Sequence, residues 1–347
     1  MLAVAKVDTN RGLKLIEIPE PKISDPNDVL IEVGACGICG TDLDIYASEE
    51  IPLAVMSPHG WPRVLGHEVA GMVKEVGKDV TGFREGDHVV CETSPPCGFC
   101  FYCRRGQPNV CEKKHGQILG ISKNGGLAKY IVTSANALYK MPKDIPFEEA
   151  SLLVTLGTAY RSIERSHVKP GDTVVVIGPG PIGILGTMLL QLNGIQTLIV
   201  AGRTSSRERL KVAAELGVQT IDINEKNLEE EVYTLTDGRG ADVVFEFAGG
   251  AQPLTQAVRI ARSGGEVVTT SGGAAGEFEL HWLTYKELTL LGTRSRQPST
   301  WHRAINLMVN HAADFKKVIT HVLPLTEYEK AFELLFDRKA LKVILVP

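Results

Sequence analysis

Seven cysteines carry the first chemical signal of this 347-residue sequence, because all of them lie between Cys36 and Cys111. Four of the seven form the pattern Cys97-x2-Cys100-x2-Cys103-x7-Cys111. Four thiolates this close along a chain can enclose a tetrahedral ion, and a shell of four cysteines without an open position is typical of structural zinc. Iron–sulfur clusters use the same ligands, so the spacing leaves both metals open.

A disulfide framework explains these cysteines poorly. Their number is odd, and the chain is far longer than the small secreted domains that depend on disulfides. Residues 1–6 show no signal-peptide pattern. We therefore expect reduced thiols in a cytoplasmic protein, several of them metal ligands.

A second, looser set of possible metal ligands combines Cys39 with His67 and Glu68. A lone Cys or His is more often a core residue than a ligand. The glycines that frame this His-Glu pair, at positions 66, 71 and 77, favour the metal-binding interpretation.

A glycine-rich turn provides the third signal. The sequence GPGPIG fits the dinucleotide-binding pattern G-x-G-x-x-G and follows an apolar run that ends at Ile177. In such a turn the glycines permit tight bending, close approach of a pyrophosphate and helix–strand packing, and the helix N-terminus attracts the phosphates. The predicted cofactor-binding residues are Gly178, Gly180, Pro181, Ile182 and Gly183.

The end of the next predicted strand bears on the choice of dinucleotide. An NAD site has Asp or Glu about twenty residues after the turn, where it binds the ribose 2′-hydroxyl. Here the strand ends in Ala-Gly-Arg203, and Arg207 and Arg209 follow. Because arginine pairs well with phosphate, the sequence favours NADP(H), with NAD(H) possible. The alternative is that these arginines are merely solvated at the start of a helix.

The elements around these motifs predict an α/β protein with two domains. Residues 1–150 read as short β-rich segments separated by Gly- and Pro-containing loops, as in a barrel. Beyond residue 150, apolar strands alternate with helical patterns, which indicates a parallel sheet covered on both faces. The predicted strands and helices are 29–33, 69–73, 88–92 and 128–132 in the first part, and 172–177, 182–192, 197–201, 205–216, 242–247, 253–261 and 266–270 in the second.

Composition excludes several classes of partner. The 37 Lys and Arg residues against 41 Asp and Glu give a net charge of −4, with no basic excess for nucleic acid. Residues 173–202 are uncharged but contain two prolines and six glycines, which argues against a membrane-spanning helix. A small molecule is the expected partner.

The motifs together resemble the zinc-containing medium-chain dehydrogenase/reductase family, in its sorbitol and threonine dehydrogenase-like branch, and the similarity runs essentially end to end. Three motifs and the C-terminal sequence carry it: CGICGTD at 36–42, GHE-x2-G-x5-G-x2-V at 66–80, the four-cysteine lobe, and the segment from His321 to Pro347. The resemblance implies a GroES-like catalytic domain over 1–150, with a structural zinc lobe at about 91–115, completed by 296–347. It implies a Rossmann domain over 151–295.

The resemblance also implies roles for single residues. Catalytic zinc would be bound by Cys39, His67 and Glu68, the last either permanently or alternately, with Asp42 orienting His67. Thr41 would bind the substrate oxygen and start a proton relay through Asp44. Structural zinc would be bound by the four-cysteine lobe. Further cofactor contacts would come from Ser271, Gly272 and Thr293, and the chain would form a dimer or tetramer.

Two positions depart from the family pattern. Val154 stands where relatives have a Glu, Asp or Cys partner of zinc, and Asp44 stands where the relay histidine is usual. The leading hypothesis is a zinc-dependent NAD(P)(H) oxidoreductase of secondary alcohols, polyols or sugar-derived alcohols. The alternatives are a reductase of quinones or enones without catalytic zinc, and a nucleotide-sensing binding protein without turnover.

Overall fold

The computed structural model describes residues 1–49, 60–270 and 276–347. These residues form two compact units, one made of 1–154 with 297–347 and the other of 155–296. Among the described residues, none of the helices is both long and apolar enough to cross a membrane.

The first unit is built mainly of antiparallel strands. A three-stranded sheet has the order β2-β1-β4, and a seven-stranded sheet has the order β15-β16-β3-β5-β6-β8, with β7 paired to β3. The strands are β1 (Leu2–Lys6), β2 (Lys14–Glu17), β3 (Asp28–Gly37), β4 (Arg63–Val64), β5 (Glu68–Val76), β6 (His88–Cys91), β7 (Tyr130–Ser134), β8 (Leu138–Lys140), β15 (Ile319–Pro324) and β16 (Lys342–Val346).

Strand β3 shows why this sheet forms. Its buried residues alternate with half-buried ones, the two-residue period of a strand with one face on a core. β16 pairs with β3, so the C-terminal segment completes this unit rather than the other one. Its helices are α1 (Gly40–Ala47), α2 (Phe101–Arg104), α3 (Phe147–Ser151), α10 (Pro298–Phe315) and α11 (Tyr328–Phe336).

The second unit is a parallel six-stranded sheet with helices between its strands. The strands are β9 (Thr173–Ile177), β10 (Thr197–Gly202), β11 (Gln219–Asp222), β12 (Ala241–Glu246), β13 (Ala261–Thr269) and β14 (Thr289–Gly292), in the order β11-β10-β9-β12-β13-β14. The helices are α5 (Pro181–Leu192), α6 (Arg207–Glu215), α7 (Leu228–Leu235), α8 (Ala251–Ile260) and α9 (His281–Tyr285), and α4 (Leu153–Arg165) leads in from the first unit.

The order of these strands identifies the place for a ligand. Every residue of β9 is buried, as expected for a central strand covered on both faces. The chain adds β10 and β11 on one side of β9 and β12 to β14 on the other, so the order reverses at β9. Dinucleotides bind at such a reversal, beside the carboxyl ends of the strands. The predicted doubly wound α/β fold is confirmed.

Candidate active site and dinucleotide site

The pairing of β3 with β5 assembles the first candidate metal site. Gly37, the last residue of β3, lies opposite Glu68, the first residue of β5. Cys39 follows two residues later as the N-cap of α1, and His67 directly precedes Glu68. Two segments almost thirty residues apart in sequence therefore present their side chains to one point.

The donor atoms at this point fit a catalytic zinc ion. One ligand atom each from Cys39, His67 and Glu68 lies within 4.8 Å of the others. The buried Nδ1 atom of His67 has no hydrogen-bond partner. Three protein donors of the types S, N and O match zinc sites that keep a fourth position open for water or substrate.

The charges around His67 also suit a cation. Burial by itself lowers the pKa of His67, but the negative charges of Asp42, Cys39 and Glu68 outweigh burial and raise that pKa to about 9. Asp42, Cys39 and Glu68 thus surround His67 with anionic or soft donor groups, and a divalent ion bound there would interact favourably with them.

Asp42 connects the two segments of the site. It is fully buried on α1, and its Oδ2 atom accepts a hydrogen bond of 2.9 Å from the backbone N–H of Cys39. Its Oδ1 atom accepts one of 3.4 Å from Gly66 and lies 3.7 Å from Nδ1 of His67. The last distance is an electrostatic contact, longer than a hydrogen bond. The predicted orienting carboxylate therefore lies beside His67.

A buried lysine from the C-terminal strand completes the surroundings of Glu68. Nζ of Lys342 forms an ion pair with Oε2 of Glu68 and donates a 3.0 Å hydrogen bond to the carbonyl of Ile38. Both side chains are at most 3% exposed. A Cβ atom at Gly37 would overlap this carboxylate. Sequence reasoning missed Lys342, because nothing local marks it and its partner is more than 270 positions away.

The remaining predicted active-site positions lie on two helices. Thr41 and Asp44 are three residues apart on α1, and therefore on one face of it, with Thr41 half-buried and Asp44 exposed. Partial burial raises the pKa of Asp44, and the charges of Glu49 and Asp42 raise it further. Val154 is buried at the start of α4 and offers no ligand atom.

The four-cysteine lobe forms the second candidate metal site. The ligand atoms of Cys97, Cys100, Cys103 and Cys111 lie within 4.8 Å of one another. The Sγ atom of Cys111 is 3.5 Å from that of Cys97 and 3.8 Å from that of Cys100. A tetrahedral zinc with bonds of about 2.3 Å requires sulfur atoms about 3.8 Å apart. Such spacing has room for a single ion rather than for a cluster of irons and sulfides.

Backbone N–H groups support thiolates in this lobe. Cys111 Sγ accepts hydrogen bonds of 3.4 Å from the N–H groups of Cys97 and Lys113. N–H groups of Cys103 and Glu112 lower the pKa of the Cys100 thiol to about 6.

The two other cysteines are buried and lie outside both ligand groups. The Cys36 thiol contacts the carbonyl of Gly37 at 3.8 Å. Burial raises the pKa of Cys91 to about 12, which keeps that thiol protonated and unreactive.

In the second unit, the three glycines of the turn after β9 have a geometry that fits the roles predicted for them. Gly178 has φ +104°, and a Cβ atom there would approach the backbone nitrogen of Ala248 to 2.7 Å. A Cβ atom at Gly183 would overlap the carbonyl of Gly178. Gly180, the N-cap of α5, has open space around it, as required where a pyrophosphate approaches. Pro181 and Ile182 form the first turn of that helix.

Glu246, at the end of β12, is a supporting residue that sequence reasoning missed. Its Oε1 atom accepts hydrogen bonds from the N–H groups of Ala248 at 2.7 Å and Gly249 at 2.6 Å. Its Oε2 atom accepts one of 2.8 Å from the hydroxyl of Thr269. Glu246 thus fixes the loop that packs on Gly178.

The predicted arginines fall into different environments. Arg203 is exposed after β10 and donates a 2.9 Å hydrogen bond to Oε1 of Gln252. Arg207 forms an ion pair with Glu225 and lies 3.9 Å from Asp222, so its charge is already balanced. Arg209 is half-buried on α6.

The other predicted cofactor contacts lie beyond β13. Thr293 follows β14, and its hydroxyl is 3.0 Å from that of Ser162. Ser271 and Gly272 lie outside the described residues.

Two family models match this chain. The alcohol dehydrogenase GroES-like domain matches residues 25–143, and the zinc-binding dehydrogenase model matches residues 181–310. The first match lies in the strand-rich unit that holds both cysteine sites, and most of the second lies in the unit with the parallel sheet.

Whole-chain comparisons give the same result. A sorbitol dehydrogenase from Halalkalibacterium halodurans is 34% identical over 352 residues, covering 100% of this chain and 99% of the relative. An L-threonine 3-dehydrogenase from Pyrococcus horikoshii is 35% identical over 351 residues, covering 99% and 98%. The structure of alcohol dehydrogenase TADH from Thermus sp. ATN1 superposes with a TM-score of 0.89 at 32% identity, covering 100% and 99%. A zinc-binding dehydrogenase from Sinorhizobium meliloti 1021, bound to NADP, gives 0.85 at 29%, with the same coverage.

Proposed function

The chain belongs to the zinc-binding, medium-chain alcohol dehydrogenase family and is an NAD(P)-dependent dehydrogenase of CH–OH groups, and from that premise we propose that it is zinc-dependent and interconverts a secondary alcohol, a polyol or a sugar-derived alcohol and its ketone. The observation that carries the zinc dependence is the convergence of Cys39, His67 and Glu68 within 4.8 Å. The named relatives support the substrate class, because sorbitol is a polyol and carbon 3 of threonine bears a secondary hydroxyl.

The active-site residues of the first unit would hold the metal and the substrate oxygen. Zinc bound by Cys39, His67 and Glu68 would supply a Lewis acid that polarises the C–O group of the substrate. Asp42 keeps the start of α1 and Gly66, the residue before His67, together through its two backbone hydrogen bonds. Lys342 balances the charge of Glu68 when that carboxylate is not bound to the metal.

Thr41 and Asp44 are proposed to move the proton. Thr41, near the start of α1, would hydrogen-bond the substrate oxygen and take its proton during oxidation. Asp44 shares its helix face and is exposed, so it can pass that proton to water. Its raised pKa brings it closer to the neutral range, where a group that both accepts and releases protons works best.

The second unit is proposed to bind NADP(H) in preference to NAD(H). The nicotinamide ring would supply the hydride acceptor or donor for the substrate carbon. The turn from Gly178 to Gly183 would hold the pyrophosphate, and Arg203 would pair with the 2′-phosphate, because no carboxylate ends β10. One solved relative is bound to NADP and another to NADH, so the preference proposed here rests on Arg203 and the absent carboxylate.

The four-cysteine lobe is proposed to hold a second, structural zinc ion. Its sulfur spacing and N–H···S hydrogen bonds support a closed tetrahedral shell. All seven cysteines are free of disulfides, which suits the reducing cytoplasm that we propose as its location.

We also propose that the chain forms a dimer or tetramer through the edge of its parallel sheet. β14 is the last strand of that sheet, and Leu280 and Tyr285, which precede it in the chain, are 65% and 79% exposed. Edge strands with exposed apolar side chains favour pairing with another chain. Leu290→Lys should shift the mass measured by light scattering toward the monomer, whereas Val322→Lys, at another exposed apolar site in the other unit, should not. Equal masses for wild type and Leu290→Lys would refute this edge.

The catalytic proposal is tested with the zinc-loaded full chain. A panel of polyols, secondary alcohols and ketones is offered with both dinucleotides, and Cys39→Ser is compared with wild type. We expect ketone reduction by wild type and none by Cys39→Ser, with unchanged dinucleotide binding. Turnover that survives in Cys39→Ser would instead favour the zinc-free reductase that Val154 allows. Dinucleotide binding without any turnover would favour a sensor.

A further inference from the structure

The end of β10 has a steric property that bears on which dinucleotide binds. Gly202 is the buried last residue of this strand, where NAD-binding folds place the carboxylate for the ribose 2′-hydroxyl. A Cβ atom at Gly202 would be 2.7 Å from Cγ and 2.8 Å from Cδ of Pro179, and 3.3 Å from Cδ2 of Leu210. Contacts below 3.0 Å require one partner to move.

Pro179 is poorly able to move. It is the second residue of the GPGPIG turn, it is buried, and its ring is closed onto its own backbone nitrogen. The GPGPIG turn is itself fixed, because Gly178 packs closely against Ala248. The N–H group of Ala248 donates a hydrogen bond to Glu246. Any side chain at position 202 therefore meets a rigid ring rather than the flexible end of a side chain.

The next residue offers a positive charge with a neutral partner. The guanidinium group of Arg203 is held by the amide of Gln252, the second residue of α8, at 2.9 Å. This contact orients Arg203 without neutralising it. Arg207, by contrast, faces the carboxylates of Glu225 and Asp222. Of these two arginines, Arg203 is the one whose hydrogen bond to a neutral amide leaves its charge for an anion.

We propose that Pro179 and Gly202 together select the dinucleotide: the proline ring excludes a carboxylate from the end of β10, and Gln252 holds Arg203 where it recognises a 2′-phosphate. Pro179 and Gln252 thereby become specificity-determining residues. The inference rests on the NADP(H) preference proposed above and adds the residues that enforce it.

The contact between positions 179 and 202 predicts that changes at these two positions are not additive. Gly202→Asp alone brings a carboxylate into the space of the proline ring, so it should lose NADP+ binding without gaining NAD+ binding. Pro179→Ala removes the ring atoms that the new Cβ would meet. The double variant Pro179→Ala/Gly202→Asp should then present its carboxylate to the 2′-hydroxyl.

The test is calorimetric titration of the zinc-loaded full chain with NAD+ and with NADP+. We expect wild type to bind NADP+ at least tenfold more tightly than NAD+, and the double variant to bind NAD+ at least tenfold more tightly than Gly202→Asp does. If Gly202→Asp alone binds NAD+ as tightly as the double variant, Pro179 excludes nothing and the inference is overturned. A folded double variant that gains no NAD+ affinity overturns it as well.

A smaller substitution covers the case in which the aspartate variants do not fold. Gly202→Ala adds only the Cβ atom, and it should weaken NADP+ binding at least fivefold in wild type but less than twofold on the Pro179→Ala background. Equal losses on both backgrounds would overturn the steric pair.

The role of Gln252 is tested separately at an exposed position. Gln252→Glu places a carboxylate against Arg203 and should weaken NADP+ binding about tenfold, with NAD+ binding changed less than twofold. Equal effects on both dinucleotides would refute the role of Gln252.

These titrations measure binding without turnover, so they can be interpreted even if the proposed alcohol oxidation is not observed. A tenfold preference of wild type for NAD+ would overturn the recognition by Arg203, while the comparison of the position-202 variants would still show whether the ring of Pro179 blocks that position.

Discussion

The four-cysteine lobe and the cluster of Cys39, His67 and Glu68 (the Cys39 cluster) lie in the same unit, yet the chain builds them by different means. The lobe offers all its ligands from residues 97–111, and its four sulfur atoms would fill the shell of a bound ion. The Cys39 cluster takes its ligands from two segments that meet only when β3 pairs with β5. It offers three donors and would leave a coordination position of a bound zinc ion open for substrate.

The surroundings of the two sites also differ, since one lies at the surface and the other among buried charges. Phe99 and Phe101 of the lobe are more than 60% exposed, so this metal site lies at the surface of its unit. Asp42 and Lys342, beside the other site, are buried charges that contact or adjoin its ligands. A closed local shell stabilises the fold, whereas an open shell assembled among buried charges can do chemistry.

Removing one ligand from each site should give the largest contrast. We expect Cys39→Ala to lower kcat/KM for alcohol oxidation about 1,000-fold or more, with little change in the thermal unfolding midpoint, because the Lewis acid is lost. Cys100→Ser should instead lower that midpoint by about 5 °C or more. Steady-state kinetics and calorimetric melting measure both. Equal behaviour of the two variants would remove the distinction between the sites.

The buried ion pair sharpens the comparison further. Lys342→Met leaves the Glu68 carboxylate buried without its counter-ion, so we expect a loss of about 3–5 kcal/mol in the free energy of unfolding. Lys342→Arg keeps the positive charge beside Glu68, and the double variant Lys342→Met/Glu68→Gln removes the unpaired carboxylate charge. Both variants should therefore recover most of the lost stability. Urea unfolding measures the difference. A Lys342→Met variant as stable as wild type would show that the pair contributes nothing.

Asp42 should affect only the open site. We expect Asp42→Asn to weaken zinc binding at Cys39 and His67 about 10- to 100-fold, because the orienting negative charge beside the imidazole is lost. Zinc at the four-cysteine lobe should be retained. Competition with a chromogenic chelator measures both affinities. Parallel weakening at the two sites would point to general unfolding instead.

Asp44 should produce the smallest effect. Alcohol oxidation needs its carboxylate form to accept a proton, so kcat should fall as the pH falls through its raised pKa. Asp44→Asn should lower kcat about tenfold and remove this acidic limb. Glu49→Gln removes a charge that raises the pKa, so the limb should move to lower pH. A limb that is unchanged in both variants would exclude Asp44 from the relay.

The sequence predicted the features that depend on neighbouring residues. The four-cysteine pattern and the GPGPIG turn each occupy one short segment, so their spacing alone indicates their geometry. The short β-rich segment at 29–33 and the continuous apolar run of β9 likewise indicated their sheets.

Features that depend on long-range contacts could not be predicted. The pairing of Lys342 with Glu68 requires the C-terminal strand to lie against β3, and no local pattern signals that neighbour. The overlap between Pro179 and a side chain at position 202 depends on the packing of two successive β–α turns. The carboxylates that pair with Arg207 lie at and just after the end of β11, so the residue type alone could not reveal that the charge of Arg207 already has partners.

Zinc content tests the central claim most directly, because the two sites predict separate counts. Plasma mass spectrometry of the purified full chain should find two zinc ions per chain in wild type and one in each of Cys39→Ala and Cys100→Ser. Alcohol oxidation should be lost in Cys39→Ala. A single zinc in wild type, or two in a folded Cys39→Ala variant, would contradict a catalytic zinc at Cys39, His67 and Glu68.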